Sequence, residues 1–114
     1  MLKISNVEKS YRTAHGFRHR QVSIVKGVSF NCPLNSSIAI IGESGSGKST
    51  LSRMILGLEK PDNGSVTLEQ QPIYKRKVRR HHIAAVFQDY SSSLHPFQTV
   101  RDIMFEVMCQ CGKP

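Results

Sequence analysis

Residues 38–51 read Ile38-Ala39-Ile40-Ile41-Gly42-Glu43-Ser44-Gly45-Ser46-Gly47-Lys48-Ser49-Thr50-Leu51, and the reading of this stretch decides the fold. Its middle, Gly42 to Ser49, matches G-x-x-x-x-G-K-[ST], a loop whose backbone N–H groups wrap around a phosphate. Such a loop needs a strand before it and a helix after it. Ile38 to Ile41 is an unalternating apolar run of the kind expected for a strand buried on both faces, at the centre of a sheet. Leu51, Met54, Ile55 and Leu58 then fall at i, i+3, i+4 and i+7, one stripe of an amphipathic helix, with the turn residues of 57–64 (Gly57, Pro61, Gly64) as its stop.

Each position of the loop has a chemical reason. Gly42, Gly45 and Gly47 open backbone conformations closed to residues with a Cβ, so successive N–H groups can turn inward around an anion. The helix that starts near Lys48 presents unpaired N–H groups and its positive dipole end to the same place. Lys48 reaches the β- and γ-phosphates as a point charge, the Ser49 hydroxyl is a ligand for Mg2+, and Thr50 adds a hydroxyl near the α-phosphate. Gly42, Glu43, Ser44, Gly45, Ser46, Gly47, Lys48, Ser49 and Thr50 are therefore the candidate nucleotide-binding residues. A Gly/Ser-rich turn with an incidental lysine would lack the strand and helix on either side.

Outward from the loop, 2–7 and 24–30 show period-two apolar patterns and are expected as half-buried strands, with the polar, basic stretch 11–21 as an exposed loop between them. Val66 and Leu68 mark another strand. The basic run Lys75-Arg76-Lys77-Val78-Arg79-Arg80 is expected as a solvated face, and is followed by a second apolar strand over Ile83 to Phe87 and a polar loop from Gln88 to Gln98. Thr99 and Asp102 form a capping-box start for a helix carrying Val100, Ile103, Met104 and Val107 on one stripe.

Composition bounds the class. The chain has 114 residues, too few for two independent domains, and Leu, Ile, Val and Phe make up 30 of them, enough for a core. Sixteen Lys and Arg against eight Asp and Glu leave a charge of +8, which admits nucleotide, nucleic acid or an anionic membrane surface as partner. Cys32, Cys109 and Cys111 are an odd set that makes a poor disulfide framework; the Cys109/Cys111 pair would need further ligands to hold a metal, and adjacent His81 and His82 point to different faces of any regular element. The residues after Met1, Leu2-Lys3-Ile4-Ser5-Asn6, do not read as an apolar leader, and the longest apolar run is far short of the ~20 residues of a membrane span, so neither a secretion signal nor a span is expected in this stretch.

About forty residues and two alternating strands precede the loop, an organisation that resembles the ATP-binding subunits of ABC transporters. The resemblance rests on Tyr11, the loop 42–49 with Leu51, the segment Gly57-Leu58-Glu59-Lys60-Pro61-Asp62-Asn63-Gly64, and Val86-Phe87-Gln88-Asp89. Ser92-Ser93-Leu94-His95-Pro96 and Thr99-Val100-Arg101-Asp102-Ile103, with the histidine-bearing insert after Tyr11, are similar to the branch that imports peptides, nickel and related solutes. The resemblance implies an α/β fold: an antiparallel β-subdomain over 2–37, a phosphate-loop core over 38–88 and the start of a helical subdomain over 89–114.

It also implies roles. Tyr11 stacks on adenine; Gln88 reaches Mg2+ and the attacking water; Lys48 and Gln88 are the catalytic candidates, and Ser49 and Gln88 the metal ligands. The cofactors are ATP and Mg2+. The partners are membrane permease subunits and a second ATPase subunit, at the cytoplasmic face of the inner membrane, with no nucleic acid. The signature sequence, the Asp-Glu strand and the switch histidine of the family do not occur in these residues, so the chain is expected to be an N-terminal fragment that holds nucleotide without turnover by itself. The alternatives are a phosphate-loop NTPase or kinase of another family, and a non-enzymatic basic module for nucleic acid or membrane.

Overall fold

The computed structural model describes residues 1–89, 91, 92, 94–110 and 112, with the side chains of His15 and His81 outside that description. Two compact units divide the chain, Met1–Arg79 and Arg80–Pro114. The first is built on an antiparallel sheet in the order β2-β1-β3-β4, with β1 (Leu2–His15), β2 (Arg18–Cys32), β3 (Asn63–Leu68) and β4 (Gln71–Pro72). The strands expected near 2–7, 24–30 and 66–68 are all present. The stretch 11–21, expected as a loop, is instead mostly strand: Tyr11 pairs with Val22, Arg12 with Gln21 and Thr13 with Arg20, up to a turn at Gly16-Phe17. Its residues carry no apolar alternation because the ladder hydrogen bonds, rather than a buried face, hold this end of the hairpin.

Asn6 sits at φ 46, where both ladders of β1 shift register. The extra residue turns Val7 to the buried side along with Ile4, which strict period two would forbid. The core joins Ile4 and Val7 of β1, Val25 of β2 and Val66 of β3 to Leu51 and Met54 of helix α1 (Lys48–Ile55), to Ile73, and to Val78 of helix α2 (Arg76–His82). Full burial of one such side chain contributes about 1.5–3 kcal/mol.

Helix α1 stops earlier than its apolar stripe implies. Gly57 takes φ 66, and the Leu58 N–H donates to Arg53 O at 2.9 Å, closing the last turn and leaving Leu58 outside the core at 60% exposure. The basic run is also more than a solvated face: it forms α2, Val78 anchors it in the core, and Arg79 Nη1 donates to Gly57 O at 2.5 Å, a cation on a carbonyl just past the negative end of α1.

Two further expectations are overturned. Residues 38–41 are not a strand, and Ile41 is 92% exposed. Residues 83–87 are not a strand either, and Val86 is fully exposed. A strand of this composition exists only where neighbours complete its N–H and C=O groups on both edges, and no described residues form a ladder with either segment.

In the second unit, the expected capping box opens helix α3 (Val100–Gln110). The Thr99 N–H and Oγ1 donate to Asp102 Oδ2 at 3.1 and 2.6 Å, and the Asp102 N–H donates to Thr99 Oγ1 at 3.3 Å. These bonds hold the Asp102 carboxyl below its ordinary value. No residue of α3 is buried, so its apolar stripe is displayed rather than packed.

The turn after α1 is tied to β1 by charge. Asp62 accepts from the Ser10 N–H at 2.8 Å and from Lys9 Nζ at 3.2 Å, and its own N–H donates to Glu8 O at 2.8 Å. The Ser10 N–H first, and then Lys9, hold the Asp62 carboxyl below its ordinary value. Stabilisation from this source is complete above the unfolded carboxylate pKa and disappears as pH falls through the lowered folded one. The thermal midpoint should therefore fall on acidification below about pH 4, and less steeply in Asp62→Asn; equal slopes in circular-dichroism melts would overturn the assignment. Tyr74 Oη is buried with no hydrogen-bond partner among the described residues. An unmade bond of this kind costs about 1–3 kcal/mol, so Tyr74→Phe should hold or raise the thermal midpoint, and a marked drop would show that the hydroxyl has a partner.

Candidate functional site

The phosphate loop and the first turn of α1 lie against β2. Gly47 caps α1 at φ 94, and a Cβ there would sit 2.8 Å from the Ile24 carbonyl oxygen, so both its conformation and its room require glycine. The first helical bond is Leu51 N–H to Gly47 O at 2.9 Å, which leaves the N–H groups of Gly47, Lys48, Ser49 and Thr50 without intrahelical partners. No side chain caps this end. The helix dipole and these donors together favour an anion at this point.

Lys48 folds over its own loop. Its ammonium donates to Gly42 O at 2.6 Å, to Glu43 O at 2.5 Å and to Ser46 Oγ at 3.3 Å, so all three of its donors are taken up at the mouth of the loop. Ser46 N–H donates to Glu43 O at 3.2 Å, tightening the same turn. Thr50 is buried, and its Oγ1 accepts from Arg53 Nη2 at 3.3 Å.

Tyr11 comes to this loop from β1. Tyr11, Ile24, Ser44, Gly45, Gly47, Lys48, Ser49 and Thr50 line one cavity of about 360 Å³, within the range of small-molecule sites. A larger, mainly apolar cavity of about 860 Å³ lies beside it, between β2 and the loop 38–48. The groups around the smaller cavity fit a nucleotide: a half-buried aromatic ring, a cation, N–H groups without intrahelical partners, and the three hydroxyls of Ser44, Ser49 and Thr50. Ser49 is the residue of this group that could hold a divalent cation.

Gln88, the remaining candidate, belongs to the second unit, where it is exposed at a bend. Asp89 beside it accepts from Ser91 Oγ at 2.8 Å and Ser92 Oγ at 2.7 Å. The sequence motifs assign no role at this site to Glu59, which appears only within the segment 57–64, or to Arg53. The Tyr11 hydroxyl donates to Glu59 Oε1 at 2.5 Å across 48 positions of chain, a separation at which no local pattern links two residues. Among the described residues no three His, Cys, Asp or Glu side chains group to hold a metal, and no helix is long and apolar enough to cross a membrane. Cys111 and the His81 side chain, weighed above as metal ligands, lie outside the described residues.

Comparison with known proteins gives the family. The chain is 73% identical over its whole length to the metal-staphylopine import system ATP-binding protein CntF of Staphylococcus aureus, of which it covers 46%. It is 37% identical to the nickel import ATP-binding protein NikE of Escherichia coli, over 95% of this chain and 42% of that protein. Among solved structures it matches the ATP-binding cassette MJ0796, a dimer in a post-hydrolysis state bound to ADP and Pi, with TM-score 0.73 and 32% identity over 87% of this chain and 43% of that one. The chain thus spans less than half the length of these relatives. Residues 25–111, which include the phosphate loop, Thr50 and Gln88, match the ABC transporter family model, and the chain belongs to that family.

Proposed function

We propose that the chain is the nucleotide-cradling part of the ATP-binding subunit of an ABC importer, which couples ATP binding and hydrolysis to uptake of nickel, peptide or a related solute. The observation that carries the proposal is the meeting of Tyr11 with Ser44, Gly45, Gly47, Lys48, Ser49 and Thr50 around one cavity. In this reading 2–37 form the β-subdomain, 38–88 the phosphate-loop core and 89–114 the start of the helical subdomain. The import systems named for its relatives support a metal complex or a nickel-related solute as cargo. The whole protein would sit at the cytoplasmic face of the membrane against permease subunits, paired with a second ATPase subunit.

The residues divide the work. Tyr11 takes the base on its ring, adding about 0.5–1.5 kcal/mol beyond area burial if it behaves like other aromatic pairs. The N–H groups of 47–50 take phosphate oxygens, and Glu43, Ser44 and Ser46 shape the loop around them together with Gly42 and Gly45. Lys48 exchanges its loop carbonyls for the β- and γ-phosphates. Ser49 would hold Mg2+, which when bound would neutralise phosphate charge. For Gln88, in the second unit, the resemblance to the family implies the role of a ligand for Mg2+ and of a group that would orient the attacking water.

Three outcomes test this reading by titration calorimetry. Lys48→Ala should weaken MgATP binding about tenfold or more, because hydrogen bonds to charged groups are worth roughly 1.5–3 kcal/mol; equal affinity would sink the assignment. Tyr11→Ala should weaken ATP and ADP alike and spare inorganic triphosphate. Removing Mg2+ with a chelator should weaken ATP binding in the parent chain and do so less in Ser49→Ala, whereas an equal loss in both would take Ser49 out of the metal shell.

A further inference from the structure

Glu59 stands outside the phosphate-loop motif, yet it touches Tyr11 directly and reaches Thr50 through Arg53. Its Oε1 accepts from the Tyr11 hydroxyl at 2.5 Å, and its Oε2 accepts from Arg53 Nε at 3.2 Å. Arg53 Nη2 in turn donates to Thr50 Oγ1 at 3.3 Å. An unbroken chain of hydrogen bonds therefore runs from the aromatic ring to the buried hydroxyl at the start of α1. Lys9 Nζ lies 3.5 Å from Glu59 Oε1 and 5.7 Å from the centre of the Tyr11 ring, so the carboxylate is flanked by two cations. Only 21% of the Glu59 side chain is exposed. The Tyr11 hydroxyl first, and then Arg53 and Lys9, hold its carboxyl below the ordinary value, against the opposing effect of burial.

We infer that Glu59 is a positioning residue for the nucleotide base: it holds the Tyr11 ring by its hydroxyl and, through Arg53, links that ring to Thr50 at the phosphate end. The inference rests on the nucleotide reading above. An unheld tyrosine samples several staggered side-chain orientations, and fixing one beforehand removes that loss from the binding step. The carboxylate itself repels a polyphosphate. Removing it leaves Lys9 and Arg53 in place, so the base and the phosphates respond to its loss in opposite senses.

The test compares ATP with inorganic triphosphate on the 114-residue chain, by calorimetry at constant salt. Glu59→Ala should lower the ratio of ATP to triphosphate affinity about threefold to tenfold, with triphosphate bound as well as before or more tightly. Tyr11→Phe, which keeps the ring and deletes only the hydroxyl, should lower the ratio to a similar degree. The double variant should be no worse than either single, because both remove the same bond. Glu59→Gln keeps an acceptor oxygen for the Tyr11 hydroxyl and should restore most of the ratio. An unchanged ratio in Glu59→Ala or Tyr11→Phe would overturn the inference, as would additive losses or a Glu59→Gln that behaves like Glu59→Ala. Tyr11→Ala separates the two levels: if it leaves the ratio unchanged the stacking itself is wrong, and if it lowers the ratio while Glu59→Ala does not, stacking stands and Glu59 has no part in it. Should Glu59→Ala fail to fold, judged by its melt, Tyr11→Phe and Glu59→Gln decide the outcome.

Discussion

The close approach of Gly47 to the Ile24 carbonyl of β2 is the constraint on which the site depends. A Cβ at Gly47 would lie 2.8 Å from that oxygen, so only glycine lets the start of α1 reach the hairpin. With the helix start seated there, Gly47, Lys48, Ser49 and Thr50 line one cavity together with Tyr11 of β1. A phosphate-binding loop alone is indifferent to what its phosphate carries. Docked on β2, it shares one cavity with an aromatic ring, and the pair is suited to a nucleotide.

Charge makes the second contribution. No acidic residue occurs between Glu8 and Glu43, so from Lys9 onward the β1–β2 hairpin carries basic residues and no acidic ones. The carboxylates that approach it do so in pairs with cations: Asp62 with Lys9, and Glu59 with Lys9 and Arg53. These partly exposed pairs each add little to stability. They do fix the turn that follows α1 against β1, and with it the Tyr11 hydroxyl. A neighbourhood left positive overall suits a polyphosphate, and its attraction should weaken with added salt.

The displayed apolar segments follow from the same sheet. Its ladders run in the order β2-β1-β3-β4 and leave 38–41 and 83–87 without partners among the described residues. The stripe of α3 is likewise exposed. Unpaired apolar backbone of this kind is a template for association with another chain or for aggregation.

The sequence by itself determined whatever is local. The spacing of Gly42, Gly47, Lys48 and Ser49 specified the phosphate loop, the stripe through Leu51 and Met54 specified α1, and the reciprocal bonds of Thr99 and Asp102 specified the start of α3, because each depends on residues within a turn or two. Tertiary structure decided the rest. The unalternating apolar runs 38–41 and 83–87 read as strands, yet a strand exists only where neighbours satisfy its backbone. The polar stretch 11–21 reads as a loop, yet its ladder with the opposite arm makes it a hairpin. Tyr11 meets Glu59, and Gly47 meets Ile24, only because β1 and β2 bring distant positions together, and the energy of those contacts depends on distances in space that separation along the chain does not encode.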